Sequence, residues 1–176
     1  MAESVLFWTD QITTPIGELV LVADEAGALC AVNWSDHTGR TERLLRLHYG
    51  LQLVFGPKHD PHSLTTALRA YFAGELTVID KLPVAMGGTA FQRAVWAELR
   101  NIPCGTTISY GTLATRLGKP AAVRAVGLAN GANPVGVVVP CHRVIGANGA
   151  LTGYGGGLMR KRWLLQHEGA YRNLFS

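Results

Sequence analysis

Long apolar runs are absent from this chain. No stretch approaches the ~18 consecutive apolar residues that cross a bilayer, and the first ten residues carry Glu3 and Asp10 with no basic segment ahead of an apolar run. Neither a membrane partner nor a secretory signal is expected. Cysteine is scarce: Cys30, Cys104 and Cys141 stand 74 and 37 residues apart. That count and spacing match no disulfide framework, zinc knuckle or redox motif, and free thiols in a cytoplasmic protein are the simplest reading. Acidic residues run out halfway. Residues 1–85 hold ten Asp and Glu against six Lys and Arg, whereas residues 86–176 hold only Glu98 and Glu168 against ten. What the chain has is apolar content, 48% of 176 residues, enough to build a packed core.

The charge step divides the chain into units at 1–85 and 86–176, with Leu82 to Gly88 as the join. A basic second unit suits a polyanionic partner, and equally a solvated basic surface. In the first unit, Val5 to Ile12, Leu19 to Val22 and Ala28 to Trp34 are β-prone, separated by the turn sequences Thr14-Pro15-Ile16-Gly17 and Asp24-Glu25-Ala26-Gly27. They predict an antiparallel meander. Leu44, Leu45, Leu47 and His48 predict a short helix, and Leu51 to Phe55 a further strand. Pro61 suits a first helical turn, with Leu64, Leu68, Tyr71 and Phe72 on one face and Gly74 at the end. His59 and His62 lack the further ligands a metal site needs, so no metal is expected.

The second unit opens with Thr89 and Gln92, spaced as a capping box, ahead of an apolar stripe of Phe91, Val95, Trp96 and Leu99. Ser109 can cap a helix running to Leu117, which Gly118 stops, and Pro120 suits the first turn of a third helix ending at Asn130 or Gly131. This is helix-turn-helix grammar. The third helix is poor in side chains that read base edges, offering only Arg124 and Asn130 among Ala121, Ala122, Ala125, Gly127 and Ala129. Such a slim helix could enter a narrow groove with Arg124 as a wedge, or pack its alanines on a neighbour. Val135 to Val139 reads as a short buried strand delivering Pro140-Cys141-His142-Arg143-Val144. A cysteine there is either an inert core thiol or a nucleophile presented by the Pro140 turn, with His142 as base, Arg143 favouring the thiolate and Glu168 able to orient His142.

Pro140-Cys141-His142-Arg143-Val144 with Asn133-Pro134 upstream resembles the active-site signature of the O6-alkylguanine-DNA alkyltransferases. The likeness extends over Ile102-Pro103-Cys104-Gly105, Ser109-Tyr110-Gly111, Arg124-Ala125-Val126-Gly127, Tyr154, Gly156-Gly157, Trp163-Leu164-Leu165 and His167-Glu168-Gly169. It is dense over residues 86–170 and looser over Thr14-Pro15-Ile16-Gly17 and Tyr71-Phe72-Ala73-Gly74. With no further regulatory unit, the chain looks like the free-standing bacterial type.

The resemblance implies an α/β protein: a ribonuclease-H-like sheet domain, then a winged helix-turn-helix-like domain that carries the chemistry. It implies single-turnover transfer of an alkyl group from O6-alkylguanine, and O4-alkylthymine, in duplex DNA to Cys141, with the target base flipped out. His142 would deprotonate Cys141 through a water, with Glu168 holding the imidazole. Tyr110 would donate to guanine N3, and Asn133 would brace the turn carrying Cys141. The base pocket would comprise backbone at Cys141 and Val144 and the loop at Tyr154 and Gly155, where the human member has serine in place of Gly155. Thr89, Gln92, Ser109, Tyr110, Arg124, Ala125 and Ala129 would face DNA through the minor groove without sequence preference. Neither cofactor nor metal is implied. The protein would act as a monomer, with cooperative assembly on DNA open. Two other readings stay open: a non-catalytic lesion sensor, which shares the fold but lacks the acceptor thiol, so that Cys141 argues against it, and a cysteine hydrolase using Cys141 and His142 on a small substrate.

Overall fold

The computed structural model describes residues 3–50 and 52–171. They form two compact units. One comprises Met1–Gly88 together with Pro134–Val138, and the other Thr89–Asn133 with Val139–Ser176. The compositional boundary at 85/86 thus lies three residues ahead of the structural one, and Pro134–Val138, read from sequence with the second unit, packs in the first.

The first unit is built on a four-stranded sheet. Strands β1 (Val5–Thr14), β2 (Gly17–Ala23) and β3 (Leu29–Trp34) form the expected antiparallel meander. Gly27 joins β2 to β3 at φ 93°, and the His62 ring lies so close that a Cβ there would sit 2.9 Å from it. His62 therefore packs on a turn. Helix α1 (Thr38–Tyr49) crosses over and returns the chain as β4 (Leu53–Pro57), parallel to β1, in the order β3-β2-β1-β4. Leu51, expected to open that strand, lies outside the described residues. Phe7, Val22, Cys30, Ala31 and Leu45 pack together between sheet and α1. Cys30 is a core thiol, and burial pushes its pKa up to about 11.

Pro61 opens a short 3-10 turn, Pro61–Ser63, kinked at His62 (φ 52°), and α2 (Leu64–Phe72) follows it. The Asp10 carboxylate on β1 holds this junction by accepting from Asp60 N at 2.8 Å and Thr65 Oγ1 at 2.6 Å. The outer edge of β3 is covered by main chain: Leu29 N donates to Pro83 O, Val32 N to Pro134 O and Gly136 N to Val32 O. Covering an edge this way removes a template for pairing with other chains. Val135 to Val139 is not the strand its composition predicts. Only Val135 bridges β3, and Val137 sits at φ 68° inside a three-residue turn closed by Val138 N on Gly136 O. A β-branched residue at positive φ is a true outlier, held by surrounding packing.

In the second unit, Thr89 and Gln92 close their capping box at the start of α3 (Ala90–Leu99). Val95, Trp96 and Leu99 are buried, and Trp96 Nε1 donates to Ala129 O at 2.8 Å. Strand β5 (Ile108–Ser109) leads into α4 (Tyr110–Arg116), capped by the Ser109 hydroxyl accepting from Thr112 N. Gly118 turns the chain at φ 70°. Pro120 falls in that turn, and α5 (Val123–Gly131) starts three residues later than Pro120 suggested. Strand β6 (Val144–Ile145) pairs parallel with β5, and α6 (Leu158–His167) closes the unit. Among the described residues, no helix is long and apolar enough to cross a membrane.

Candidate active site

Cys141 opens a single 3-10 turn, Cys141–Arg143, between α5 and β6. Pro140, at φ −83° and ψ 64°, makes the tight turn before it, with Cys141 N donating to Val139 O at 2.8 Å. Asn133 Nδ2 donates to the same Val139 carbonyl at 2.8 Å. Asn133 thereby clips the segment that carries Cys141. Cys141 itself is 7% exposed.

His142 is wholly buried. Its Nε2 lies 2.9 Å from Glu168 Oε1, and its Nδ1 has no hydrogen-bond partner. Burial pushes the imidazole pKa below its usual value, against the pull of Glu168 and aided by the positive charges of Arg143 and Lys161. The ring is therefore neutral at pH 7, with Nε2–H donating to the carboxylate and the Nδ1 lone pair available as a base. Glu168 follows the last turn of α6 and is buried as well. Burial alone would raise its pKa. His142 and Arg143 overcome that and hold it well below the carboxylate range.

Arg143, expected from the sequence to favour the thiolate, is buried and engages Glu168. Its guanidinium grips Glu168 at both oxygens, Nε to Oε2 and Nη2 to Oε1 at 2.9 Å each, and Nη1 donates to Ile102 O at 2.7 Å. A bidentate pair of this kind fixes the carboxylate plane and so fixes His142. Gly105, at φ 84°, lets the turn after Ile102 approach Glu168: a Cβ there would lie 3.2 Å from the Glu168 carbonyl.

Lys161 was hidden from sequence within the basic run Arg160-Lys161-Arg162. It is fully buried, and Nζ donates to Val144 O at 2.6 Å, Thr152 O at 2.9 Å and Gly153 O at 3.5 Å. Burial lowers its pKa to about 8, with Cys141 pulling the other way. One signal was available: Lys161, Leu164, Leu165 and Glu168 fall at i, i+3, i+4 and i+7, a single helical face. Tyr110, the first residue of α4, donates its hydroxyl to the same Thr152 carbonyl at 3.0 Å. Its ring lies against Gly127 of α5, where a Cβ would be 3.8 Å away.

Structure thus pairs His142 with Glu168, ties Asn133 to the Val139 carbonyl that also accepts from Cys141 N, and sets Tyr110 beside the loop at Thr152. Val144 is buried, with its carbonyl on Lys161, while Tyr154 and Gly155 lie in a turn closed by Gly157 N on Tyr154 O. Arg124 and Ala125 are exposed on α5. Thr89, Gln92 and Ser109 have their side chains engaged in helix caps. Ala129 departs from expectation: it is 3% exposed and belongs to the α3–α5 contact, so its side chain does not face a partner.

Residues 90–170 match the family model described as 6-O-methylguanine DNA methyltransferase, DNA binding domain. A methylated-DNA–protein-cysteine methyltransferase of Salmonella typhimurium is 55% identical over 163 residues, covering 91% of this chain and 94% of that protein. One of Shigella flexneri is 53% identical over the same shares. Among solved structures, Mycobacterium tuberculosis OGT in complex with DNA is similar with a TM-score of 0.78 at 44% identity, covering 94% of each chain. Identity at this level along nine-tenths of the sequence, with the buried Cys141, His142 and Glu168 all inside the matched segment, leaves a single conclusion: the chain belongs to the methylated-DNA–protein-cysteine methyltransferases.

Proposed function

We propose that Cys141 is the acceptor in this direct-reversal DNA repair and that it takes the alkyl group of O6-alkylguanine, or O4-alkylthymine, once and irreversibly. One observation carries the assignment. Beside Cys141 stands a neutral histidine whose Nε2 is committed to Glu168 and whose Nδ1 is left to accept a proton. His142 draws the thiol proton through a water, and Arg143 keeps Glu168 in place to stabilise the resulting imidazolium. The thiolate, a soft nucleophile, attacks the alkyl carbon. The S–C bond forms as the C–O6 bond breaks, and the electron pair stays with guanine, where Tyr110 donates a proton to N3. Tyr110 must turn from the Thr152 carbonyl to do so, and Lys161 keeps that carbonyl hydrogen-bonded when it does.

The lesion reaches this buried thiol only outside the stack, so the base is flipped at a cost of a few kcal/mol. Helix α5 enters the minor groove with Arg124 in the gap, the Tyr154–Gly155 turn and the Cys141 and Val144 backbone hold the base, and the phosphates are met without regard to sequence. The protein works as a monomer in the cytoplasm. Nothing in the proposed chemistry cleaves the thioether, so each molecule acts once. Incubation with a duplex carrying labelled O6-methylguanine, followed by peptide mapping, tests this. One label per chain, on Cys141, is expected, and Cys141→Ala should bind DNA without taking label. Repeated turnover would instead favour a cysteine hydrolase.

A further inference from the structure

Among the described residues, two buried side-chain atoms have no hydrogen-bond partner: His142 Nδ1 and Asn130 Oδ1. Buried polar atoms are nearly always paired, with protein or with water. Both of these flank Cys141. His142 follows it in the chain. Asn130, at the end of α5 and 3% exposed, directs Nδ2 at the Cys141 carbonyl, 3.4 Å away. That carbonyl also orients the amide, because only its N–H₂ end can face an acceptor. The oxygen end is therefore the one without a partner.

We infer that Asn130 is a positioning residue for methyl transfer: its Oδ1 and His142 Nδ1 share the water that relays the thiol proton, while its Nδ2 steadies the Cys141 backbone. A water between an imidazole lone pair and an amide oxygen can donate one hydrogen to each, leaving its oxygen to accept from the Cys141 thiol. Buried waters typically make about three hydrogen bonds, which this arrangement supplies. An apolar side chain at 130 would leave the water on His142 alone, free to turn its donors elsewhere. Asn130 also lies six residues after Arg124 on one helix, so a shift of α5 on DNA moves the amide with it.

This inference rests on the assignment of Cys141 as acceptor and His142 as base, and a double-mutant cycle separates the two. Single-turnover transfer from an O6-methylguanine duplex is measured for wild type, Asn130→Leu, His142→Ala and the double variant, together with the pH dependence of Cys141 alkylation by iodoacetamide. His142→Ala should slow transfer by ~100-fold or more, the scale of general-base catalysis. Asn130→Leu should slow it about tenfold, the scale of one hydrogen bond to a reacting group, and should move the alkylation profile to higher pH. The double variant should be no slower than His142→Ala, because Asn130 acts through the water that His142 binds. Full additivity, or an unmoved pH profile, overturns the role of Asn130. An unimpaired His142→Ala overturns the base assignment instead. Should Asn130→Leu not fold, Asn130→Ser leaves room for a water and a hydroxyl to hold it. A wild-type pH profile in Asn130→Leu, or a profile in Asn130→Ser shifted as far as that of His142→Ala, would contradict the inference.

Discussion

Glu168 serves two masters at once, the His142 imidazole and the Arg143 guanidinium, all three out of water. Removing one partner of a buried pair leaves the other charge stranded. Glu168→Gln should therefore destabilise the fold by about 3–5 kcal/mol, read by denaturant unfolding, as well as slow transfer. The pH dependence follows from two lowered pKa values. The folded Glu168 pKa lies below the unfolded one, so its contribution is present above the unfolded value of 4.5 and is lost as pH falls through the folded value. The His142 pKa is likewise lowered from 6.5, so the imidazole stays neutral in the fold where an exposed one would be half protonated. Transfer rate should thus hold through pH 6.5 and decline only at lower pH; a midpoint at or above 6.5 would mean that His142 is not the group titrating. Tyr110 calls for a different measurement. Its hydroxyl matters as charge develops on guanine, so Tyr110→Phe should lower the transfer rate by more than it weakens lesion binding. Equal losses would assign Tyr110 to ground-state binding.

At the scale of elements, α5 is asymmetric. One side, with Val126, Ala129 and Asn130, is buried, and Trp96 ties it to α3. Other positions, Val123 at 39% and Leu128 at 72%, are exposed, as are Arg124 and Ala125. An apolar, small-residue surface bearing one guanidinium suits a minor groove and a stack opened by a wedge. If Arg124 extrudes the base, Arg124→Ala should strongly slow repair in intact duplex. Reaction with free O6-alkylguanine base, which needs no flipping, should change far less, and a lesion opposite a mismatch should fall between. Arg124→Lys should restore only part, since an ammonium cannot stack as a planar guanidinium does. Transfer rates on the three substrates give the answer, and equal fold-losses on free base and duplex would make Arg124 an active-site or folding residue.

For the whole molecule, the division of charge has a consequence in solution. The second unit holds ten basic residues and two acids, and Glu168, one of those acids, is buried. Arg143 and Lys161 are buried too, so the groups out of water remove two positive charges and one negative, and the unit keeps a large positive excess. DNA affinity should fall steeply with salt, by about 0.9 log units per tenfold salt for each phosphate neutralised on duplex, and should differ little between sequences. Titrations at low and moderate salt on two unrelated duplexes would show it; a flat response would remove the electrostatic basis for binding.

The sequence by itself determined what local grammar carries. Alternating β-prone runs with Gly and Pro turns specified the meander, Thr89 with Gln92 and Ser109 specified two helix starts, and the spaced motifs around Cys141 specified the family. Where the pattern misled, tertiary contact had outweighed it. Val135 to Val139 is as β-prone as any segment, yet the main chain bends at Val137, just after Val135 bridges β3. Composition shows neither that Arg143 grips Glu168 nor that Lys161 is buried. Only the folded chain brings Glu168 within reach of Arg143, and the Val144 and Thr152 carbonyls within reach of Lys161. Periodicity is fixed by backbone geometry and is legible one element at a time. Which polar group meets which is fixed by packing of residues on different elements, nine to 26 positions apart in these contacts, and only tertiary structure decides that.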